Sequence, residues 1–240
     1  MADTAAASAA FDPAAAVTAT LTARAVLLDM DGTLVDSEAV VERVWRDWAA
    51  GHGLAFEDVL PLVHGRQGHV TMALLLPERP MAANHADNRE MLARETAETD
   101  GVVQVPGAAA FLAAVEAVPH ALVTSADAAL ARARMDAAGL RVPEVRVTAE
   151  SVEESKPHPE GFLRAAAELG VDPADCVVFE DSEAGVEAGR AAGMRVLGVG
   201  PRAAAFGPTA HVRTLEQVRV EVPSGADGPV RLHVLADGSA

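Results

Sequence analysis

The stretch Ala25-Val26-Leu27-Leu28-Asp29-Met30-Asp31-Gly32-Thr33 joins four apolar residues to two aspartates and a glycine. A short, uninterrupted apolar run predicts a strand that is buried on both faces, as the strands of parallel sheets are. Ligands of open parallel sheets bind beyond the carboxyl ends of the strands. Asp29 and Asp31 therefore lie where we expect a functional site.

The chain beyond residue 106 repeats this arrangement, because short apolar runs alternate there with helical patterns. Such alternation is typical of successive βαβ units. The predicted strands are 26–28, 121–124, 145–147, 177–179 and 195–199, and the predicted helices are 107–118, 128–138, 159–169 and 183–192. The sequence therefore predicts an α/β fold built on a parallel sheet.

Residues 37–103 interrupt that rhythm, since they contain helical patterns but no strand-like run. We interpret them as a helical cap inserted into a core formed by residues 23–36 and 104–222. The first cap helix carries an apolar stripe typical of a cap interior, made of Val41, Val44, Trp45 and Trp48. The alanine-rich residues 1–22 are predicted to be a disordered extension, and residues 223–240 a terminal hairpin or tail.

The composition narrows the classes of partner. Asp and Glu outnumber Lys and Arg by 35 to 19, so the overall field repels nucleic acid. No apolar stretch approaches the roughly 20 residues that cross a bilayer, which argues against a membrane partner. The single cysteine, Cys176, excludes an intramolecular disulfide and fits a cytoplasmic protein. A monomer or a small homo-oligomer is compatible with this composition.

The two aspartates at the end of the first predicted strand are expected to do different work, because they sit at different depths. Asp29 can attack phosphorus as a nucleophile and form an aspartyl-phosphate. Asp31, followed by the turn residue Gly32, can protonate the leaving alkoxide and then deprotonate the attacking water. The alternative is that both are ordinary turn residues at the surface.

A second acidic pair, Glu180-Asp181, follows the fourth predicted strand and would repel Asp29 without a cation between them. Mg²⁺ prefers oxygen ligands and few protein carboxylates. We assign Asp29, Asp181 and the backbone carbonyl of Asp31 as its ligands, with Glu180 beside them. The alternative is that Asp181 or Ser182 only caps the following helix.

Two further positions complete the predicted catalytic and phosphate-binding set. Ser125 and Ala126 stand where a strand opens into a helix, which offers a hydroxyl and backbone amides to phosphate oxygens. Lys156 is the only lysine among nineteen cationic residues. A compact ammonium at that position would neutralise phosphate charge and keep Asp29 ionised. The alternative is that this lysine survives by chance in a chain that otherwise avoids lysine.

These residues resemble the four motifs of the haloacid dehalogenase superfamily. The motifs are residues 29–37 (Asp-Met-Asp-Gly-Thr-Leu-Val-Asp-Ser), Ser125, Lys156 and residues 180–185 (Glu-Asp-Ser-Glu-Ala-Gly). The resemblance covers residues 24–222 and implies a Rossmann-like core, Mg²⁺ and an aspartyl-phosphate intermediate. The inserted helical segment resembles the C1 cap of one subgroup.

Within the superfamily, the chain is similar to bacterial sugar and hexitol phosphatases and to yeast glycerol-3-phosphate and 2-deoxyglucose-6-phosphate phosphatases. This similarity rests in part on residues 41–45, 64–67, 131–134 and 156–160. It implies a phosphatase of small sugar or polyol phosphates. The related β-phosphoglucomutase uses a cap histidine whose place is taken here by Val41. A phosphosugar mutase and a non-catalytic metabolite-binding protein are the alternatives. A dehalogenase would not need the second aspartate or the metal cluster.

A polar loop inside the cap is predicted to contact substrate. Arg66 is the strongest candidate, with an exposed ion pair as the alternative. His64 and Gln67 are weaker candidates, and His69 and His158 are expected to be structural. Closure of the cap would exclude bulk water from the phosphorylated aspartate.

Overall fold

The computed structural model describes residues 16–222 and 228–236. Its strands are β1 (Val17–Ala23), β2 (Ala25–Leu28), β3 (Val35–Asp36), β4 (Val103–Gln104), β5 (His120–Val123), β6 (Val145–Val147), β7 (Cys176–Glu180), β8 (Arg195–Val199), β9 (Ala210–Val212), β10 (Val218–Glu221) and β11 (Val230–Leu235). Its α-helices are α1 (Glu38–Gly51), α2 (Phe56–Val59), α3 (Gly68–Leu75), α4 (Met81–Ala97), α5 (Ala108–Val115), α6 (Ala128–Ala137), α7 (Glu160–Leu169) and α8 (Glu183–Ala191).

Within the described ranges, no helix combines the length and apolar character that crossing a bilayer requires.

The central sheet has the strand order β6-β5-β2-β7-β8-β9, and every neighbouring pair is parallel. β2 lies in the middle, between β5 and β7. All five predicted core strands belong to this sheet, and the predicted α/β class is confirmed. The strand β9 was not predicted, because the three residues Ala210-His211-Val212 are too few to show an apolar pattern.

The side chains of β2 alternate between the two faces of this sheet. Val26 and Leu28 belong to one apolar cluster, and Ala25 and Leu27 belong to the other. All four are fully buried, so the strand has no polar face. Asp29 directly follows this buried strand, at the carboxyl edge of the sheet.

Capping side chains fix the starts of two helices near the same edge of the sheet. Asp127 accepts a hydrogen bond from the Leu130 amide at 2.8 Å at the start of α6. Ser182 accepts one from the Gly185 amide at 3.1 Å at the start of α8. Each cap satisfies an amide that the first helical turn leaves unpaired.

Helices α1 to α4 lie between β3 and β4, which pair antiparallel with Val35 opposite Gln104. Residues 37–102 contain helices and no strand, and the last residue of the predicted cap, Val103, belongs to β4. Trp45 and Trp48 pack edge to face with ring centres 5.4 Å apart inside this helical segment. Val41, the first residue of the predicted stripe, is only partly buried and also lines the cavity between the segment and the sheet.

The predicted disordered extension is wrong for its last residues. β1 pairs antiparallel with β11, with Thr20 opposite His233. Leu21 and Ala23 are buried while Thr20 and Thr22 are exposed, which is the period of two expected of a strand. The alanine-rich composition of the segment hides this short alternation. Residues 1–15 lie outside the described residues.

The strands β10 and β11 form a hairpin near the end of the chain and pair antiparallel with Val218 opposite Val234. Only β11 lies within the predicted residues 223–240, because β10 ends at Glu221. With β1 they form a three-stranded sheet of order β1-β11-β10. Residues 223–227 and 237–240 of the predicted hairpin or tail lie outside the described residues.

Candidate active site

The carboxyl ends of the central strands and a loop of the helical segment enclose a cavity of about 400 Å³. The predicted residues that line it from the sheet side are Asp29, Asp31, Ser125, Ala126 and Asp181. Lys156, from the loop before α7, contacts both Asp29 and Glu180. The structure therefore brings the predicted catalytic and metal-binding residues together at one edge of the sheet.

Lys156 joins two carboxylates that come from different strands. Its Nζ donates to Asp29 Oδ1 at 2.5 Å, to Glu180 Oε1 at 2.7 Å and to the Val123 carbonyl at 3.1 Å. The lysine side chain is only 6% exposed. Burial lowers the pKa of Lys156, but Asp29 and Glu180 outweigh that effect and raise the pKa above its ordinary value. The ammonium therefore stays charged.

Glu180 is fully buried and engaged on both carboxylate oxygens. Oε1 accepts from Lys156, and Oε2 accepts from the Ser182 amide at 2.8 Å and from the Ser182 hydroxyl at 2.9 Å. Helix α8 passes so close that a Cβ on Gly185 would lie 1.7 Å from Glu180 Oε1. Glu180 therefore fixes both Lys156 and the turn that leads into α8.

Asp29, Glu180 and Asp181 form a buried acidic cluster, with one oxygen of each within 4.8 Å of the others. Burial raises the pKa of Asp29 well above its ordinary value, although Lys156 acts in the opposite direction. Burial and repulsion from Glu180 raise the pKa of Asp181 to about 8. Ionisation of all three carboxyls is therefore unfavourable unless further positive charge lies beside them.

This donor set fits a hard divalent cation. Carboxylate oxygens are the ligands such ions prefer, and a cation would relieve the repulsion within the cluster. The chain turns tightly here at Gly32, which has a φ of 77° and whose Cβ would lie 2.1 Å from Asp181 Oδ2. A glycine is therefore needed for the acidic side chain to reach the end of β2.

The surroundings of Asp31 differ from those of Asp29. The Asp31 side chain is 32% exposed, whereas that of Asp29 is 7% exposed. Asp31 Oδ1 accepts from the Ser37 hydroxyl at 2.6 Å, and Oδ2 accepts from Arg134 Nη1 at 2.8 Å. Asp29 therefore lies in the buried cluster, whereas Asp31 faces the cavity and is held in place by Ser37 and Arg134.

The polar loop of the helical segment rests directly on the sheet edge. Ser125 Oγ donates to the Gly65 carbonyl at 2.8 Å, and Gln67 Nε2 donates to the Ala149 carbonyl at 3.2 Å. Gly65 has a φ of 79°, and a Cβ on it would lie 2.1 Å from Ser182 Oγ. The loop therefore approaches the core this closely only because residue 65 has no side chain.

The predicted substrate-contacting residues of this loop divide into two groups. His64 and Arg66 line the cavity, whereas Gln67 lies outside it. Burial lowers the pKa of His64 to about 4, and its Nε2 lies 3.2 Å from Arg202 Nη1, so the neutral ring accepts a hydrogen bond there. Arg66 has no hydrogen bond or ion pair to any described residue, so the surface ion pair considered as its alternative is not formed.

Three other predicted residues have partners within the protein. The Ala126 amide donates to the Thr124 hydroxyl at 3.1 Å, so a phosphate oxygen would have to replace that hydroxyl. His69 stacks against His85 with ring centres 4.3 Å apart. His158 is exposed, and its Nε2 lies 3.0 Å from Glu154 Oε2.

Sequence reasoning missed Arg134, Glu95 and Arg202, which are among the charged residues that line the cavity. Arg134 contacts Asp31 and, through Nη2, Glu95 Oε2 at 3.0 Å. Arg202 reaches Asp181 Oδ2 at 3.3 Å and Glu38 Oε1 at 2.8 Å. These residues tie the site to α4 and α1 of the helical segment.

Signals for all three were present in the sequence. Arg134 falls on the buried face of α6 with Leu130 and Met135, where an arginine breaks the apolar pattern. Glu95 follows Met91 at a spacing of four on α4 and is buried like it. Arg202 lies shortly beyond the end of β8, at the edge where ligands of parallel sheets bind.

The sequence matches known proteins over most of its length. The family model described as haloacid dehalogenase-like hydrolase matches residues 23–193. Hexitol phosphatase A of Escherichia coli (strain K12) is 45% identical over 175 residues, which are 72% of this chain and 81% of that protein. Glycerol-1-phosphate phosphohydrolase 1 of Saccharomyces cerevisiae is 33% identical over 188 residues, with 73% of this chain and 74% of that protein covered. A crystal structure of β-phosphoglucomutase from Clostridium difficile has the same fold, with a TM-score of 0.73 at 21% identity over 82% of this chain and 93% of that chain.

Proposed function

The chain belongs to the haloacid dehalogenase-like hydrolase family, and on that premise we propose that it is a Mg²⁺-dependent phosphatase of small sugar or polyol phosphates. The observation that carries the proposal is the buried contact of Lys156 Nζ with Asp29 and Glu180, beside Asp181 and the cavity. The hexitol and glycerol phosphatases it resembles support the substrate class, because both take small phosphorylated polyols.

Asp29 is the proposed nucleophile. Lys156 holds its Oδ1, which leaves Oδ2 to form the bond to phosphorus. As that bond forms, the bond between phosphorus and the ester oxygen breaks, and an aspartyl-phosphate results. The charge on Lys156 opposes the effect of burial on Asp29, favours its ionised form and reduces repulsion of the incoming phosphate.

Asp31 is the proposed acid and base. In the first step its protonated carboxyl gives a proton to the leaving alkoxide, which departs as the alcohol. In the second step the ionised carboxylate takes a proton from the water whose oxygen attacks phosphorus. The bond between phosphorus and the Asp29 oxygen breaks, which leaves inorganic phosphate and the free Asp29 carboxylate. Its greater exposure to the cavity suits an exchange of protons with ligands.

The divalent cation would be held by Asp29, Asp181 and the backbone carbonyl of Asp31. When bound, it would supply positive charge against the phosphate oxygens and the acidic cluster. Glu180 already uses both oxygens on Lys156 and Ser182, which supports a place for it beside these ligands.

The cap side of the cavity would receive the rest of the substrate. Its volume of about 400 Å³ is within the range typical of sites for small ligands. Arg66 is available there for a phosphate or hydroxyl, and neutral His64 offers a second polar contact. Ser125 lines the same cavity, and its hydroxyl can bind phosphate once it leaves the Gly65 carbonyl.

Water is the proposed acceptor of the phosphoryl group. Val41 lines the cavity at the position that the resemblance assigns to the mutase histidine. A valine has no group that can activate a sugar hydroxyl, which favours hydrolysis over transfer.

We also propose a cytoplasmic location, supported by the buried, unpaired Cys176, whose thiol pKa burial raises to about 11.

Phosphate release from a panel of phosphorylated sugars and polyols tests this function. We expect release that needs Mg²⁺, stops on chelation and is lost in Asp29→Asn. The matched control is Asp136→Asn, which changes an exposed aspartate on α6 and should leave release unchanged. Equal turnover by Asp29→Asn and the unmodified chain would remove Asp29 as the nucleophile. Accumulation of an isomeric sugar phosphate in place of free phosphate would favour the mutase.

A further inference from the structure

A buried arginine outside the predicted catalytic set joins the core to the cap. Arg134 is on α6, and its side chain is 4% exposed. Its Nη1 lies 2.8 Å from Asp31 Oδ2, and its Nη2 lies 3.0 Å from Glu95 Oε2. Its Nε is also buried and has no hydrogen-bond partner among the described residues. One guanidinium therefore connects an aspartate of the core to a glutamate of the cap helix α4.

Stability alone does not account for this arrangement. Removing several charged groups from water is costly, and apolar residues in such places are often equally stable or more stable. Leu130 and Met135 flank Arg134 on the buried face of α6, so an apolar side chain would suit that face. The unpaired Nε adds a further cost. The charged group at this position therefore points to a task within the site.

Both oxygens of Asp31 are held by groups linked to the cap. Ser37, which donates to Oδ1 at 2.6 Å, directly precedes α1. Arg134, which donates to Oδ2, is itself held by Glu95, and α4 packs against α6. The guanidinium is planar and presents its donors in a fixed fork. The position of Glu95 therefore affects the orientation of Arg134 and, through it, that of Asp31.

We infer that Arg134 is a positioning residue for Asp31, and that Glu95 completes this placement when the cap rests on the core. The inference rests on the proposed function, in which Asp31 gives a proton to the leaving alkoxide. Arg134 touches neither phosphorus nor the leaving oxygen, and it orients the carboxyl group that does. When the cap lifts, Arg134 loses Glu95 and Asp31 loses its fixed orientation. Proton transfer is thereby confined to the closed, substrate-filled enzyme.

The dependence of the rate on the leaving group separates positioning from a purely structural role. The alkoxide of glucitol 6-phosphate needs a proton in order to leave, whereas p-nitrophenolate leaves without one. The quantity to measure is kcat/KM for glucitol 6-phosphate divided by kcat/KM for p-nitrophenyl phosphate, here called the leaving-group ratio. Since kcat/KM reports the loss of transition-state stabilisation, a misplaced acid lowers this ratio.

The expected decrease in the leaving-group ratio becomes smaller along the series of contacts from Asp31 to Arg134 to Glu95. Asp31→Asn, which removes the acid, should lower the leaving-group ratio most. Arg134→Gln should lower it by at least about tenfold, since general acid catalysis contributes on the order of a hundredfold or more. Glu95→Gln keeps the size of the side chain and an acceptor oxygen but removes the charge, so a smaller decrease is expected. Arg134→Lys keeps the charge without the fork and should fall between Arg134→Gln and the unmodified chain.

Arg132→Gln is the matched control, because Arg132 lies on the same helix, is exposed and, among the described residues, forms an ion pair only with the exposed Asp136. It should leave the leaving-group ratio unchanged. Circular dichroism and thermal melting of each variant show whether it folds. If Arg134→Gln does not fold, Glu95→Gln and Arg134→Lys decide the question.

Two results would overturn the inference. The first is an equal loss of kcat/KM for both substrates in folded Arg134→Gln, and the second is an unchanged ratio in all the Arg134 and Glu95 variants that fold. Failure of the proposed function looks different, because the unmodified chain would then release phosphate from neither substrate.

Discussion

At the scale of single residues, the site depends on Lys156 being a compact ammonium. Its Nζ reaches two carboxylates and a carbonyl at 2.5 to 3.1 Å in a pocket that leaves it 6% exposed. A guanidinium is larger, planar and always charged, so it preserves the charge but not the three-way contact. The remaining eighteen cationic residues are arginines, which makes this position informative.

Lys156→Arg is therefore expected to lower kcat/KM for the preferred phosphate ester by about a hundredfold, the size of loss that a displacement of about 1 Å can cause. Steady-state kinetics with saturating Mg²⁺ would measure it. The reverse exchange Arg132→Lys, on the exposed face of α6, should have no effect. Activity close to that of the unmodified chain in Lys156→Arg would show that charge alone is enough at this position.

Residues that stand out within their own segment were predictable, whereas residues whose role depends on packing between a cap helix and a core helix were not. Asp29 and Lys156 stand out because each breaks a local pattern in a recognisable place. The roles of Glu95 and Arg134 depend on α4 lying against α6, which neither helix encodes by itself. In the sequence, each appears only as a charged residue on an apolar helix face. Without knowledge of how α4 packs against α6, the two residues cannot be recognised as partners.

At the scale of elements, the cap loop and the strands show where pattern reasoning succeeds and fails. The apolar run of β2 was predictable because both sheet faces bury it. β1 was missed because its short alternation of threonine with apolar residues lies in alanine-rich sequence. The loop around Gly65 could be predicted to be polar, but its close contact with Ser182 depends on how the cap sits on the core.

Gly65→Ala should prevent the cap loop from seating, because the added Cβ would collide with Ser182 Oγ at 2.1 Å. We expect kcat/KM to fall by roughly tenfold to a hundredfold, as misplacement of the site predicts. Gly53→Ala is the matched control, since Gly53 also has a positive φ, 69°, but nothing within 4 Å of its Cβ position. Similar kinetics for the two variants would mean that loop seating does not limit catalysis.

At the scale of the whole molecule, the charge distribution opposes the proposed substrate unless the site reverses it. The chain has a formal net charge of −16, and a buried acidic cluster lies at the edge of the cavity. An anionic phosphate therefore needs local positive charge from Lys156, Arg66 and a divalent cation. The overall balance and the acidic motifs were predictable, whereas the burial that raises the pKa of Asp181 to about 8 required the structure.

Mg²⁺ should stabilise the folded protein, because the proposed site would bind it in the folded state and repulsion within the cluster would be relieved there. At a concentration about a hundredfold above the dissociation constant, the expected gain is roughly 2.7 kcal/mol, which raises Tm by several degrees. Differential scanning fluorimetry with increasing Mg²⁺ would measure the rise. Asp181→Asn should lose it, and Asp175→Asn, at an exposed position, should keep it. An equal rise in Asp181→Asn would place the cation elsewhere.

The most direct test of the central claim is to find the phosphoryl group on the enzyme. Acid quenching during turnover, followed by peptide mass spectrometry, should detect one added phosphoryl group on Asp29, sensitive to hydroxylamine as an acyl phosphate is. The adduct should be absent without Mg²⁺ and absent in Asp29→Asn. Phosphorylation of a different residue during turnover, such as Asp31 or a histidine, would contradict the account.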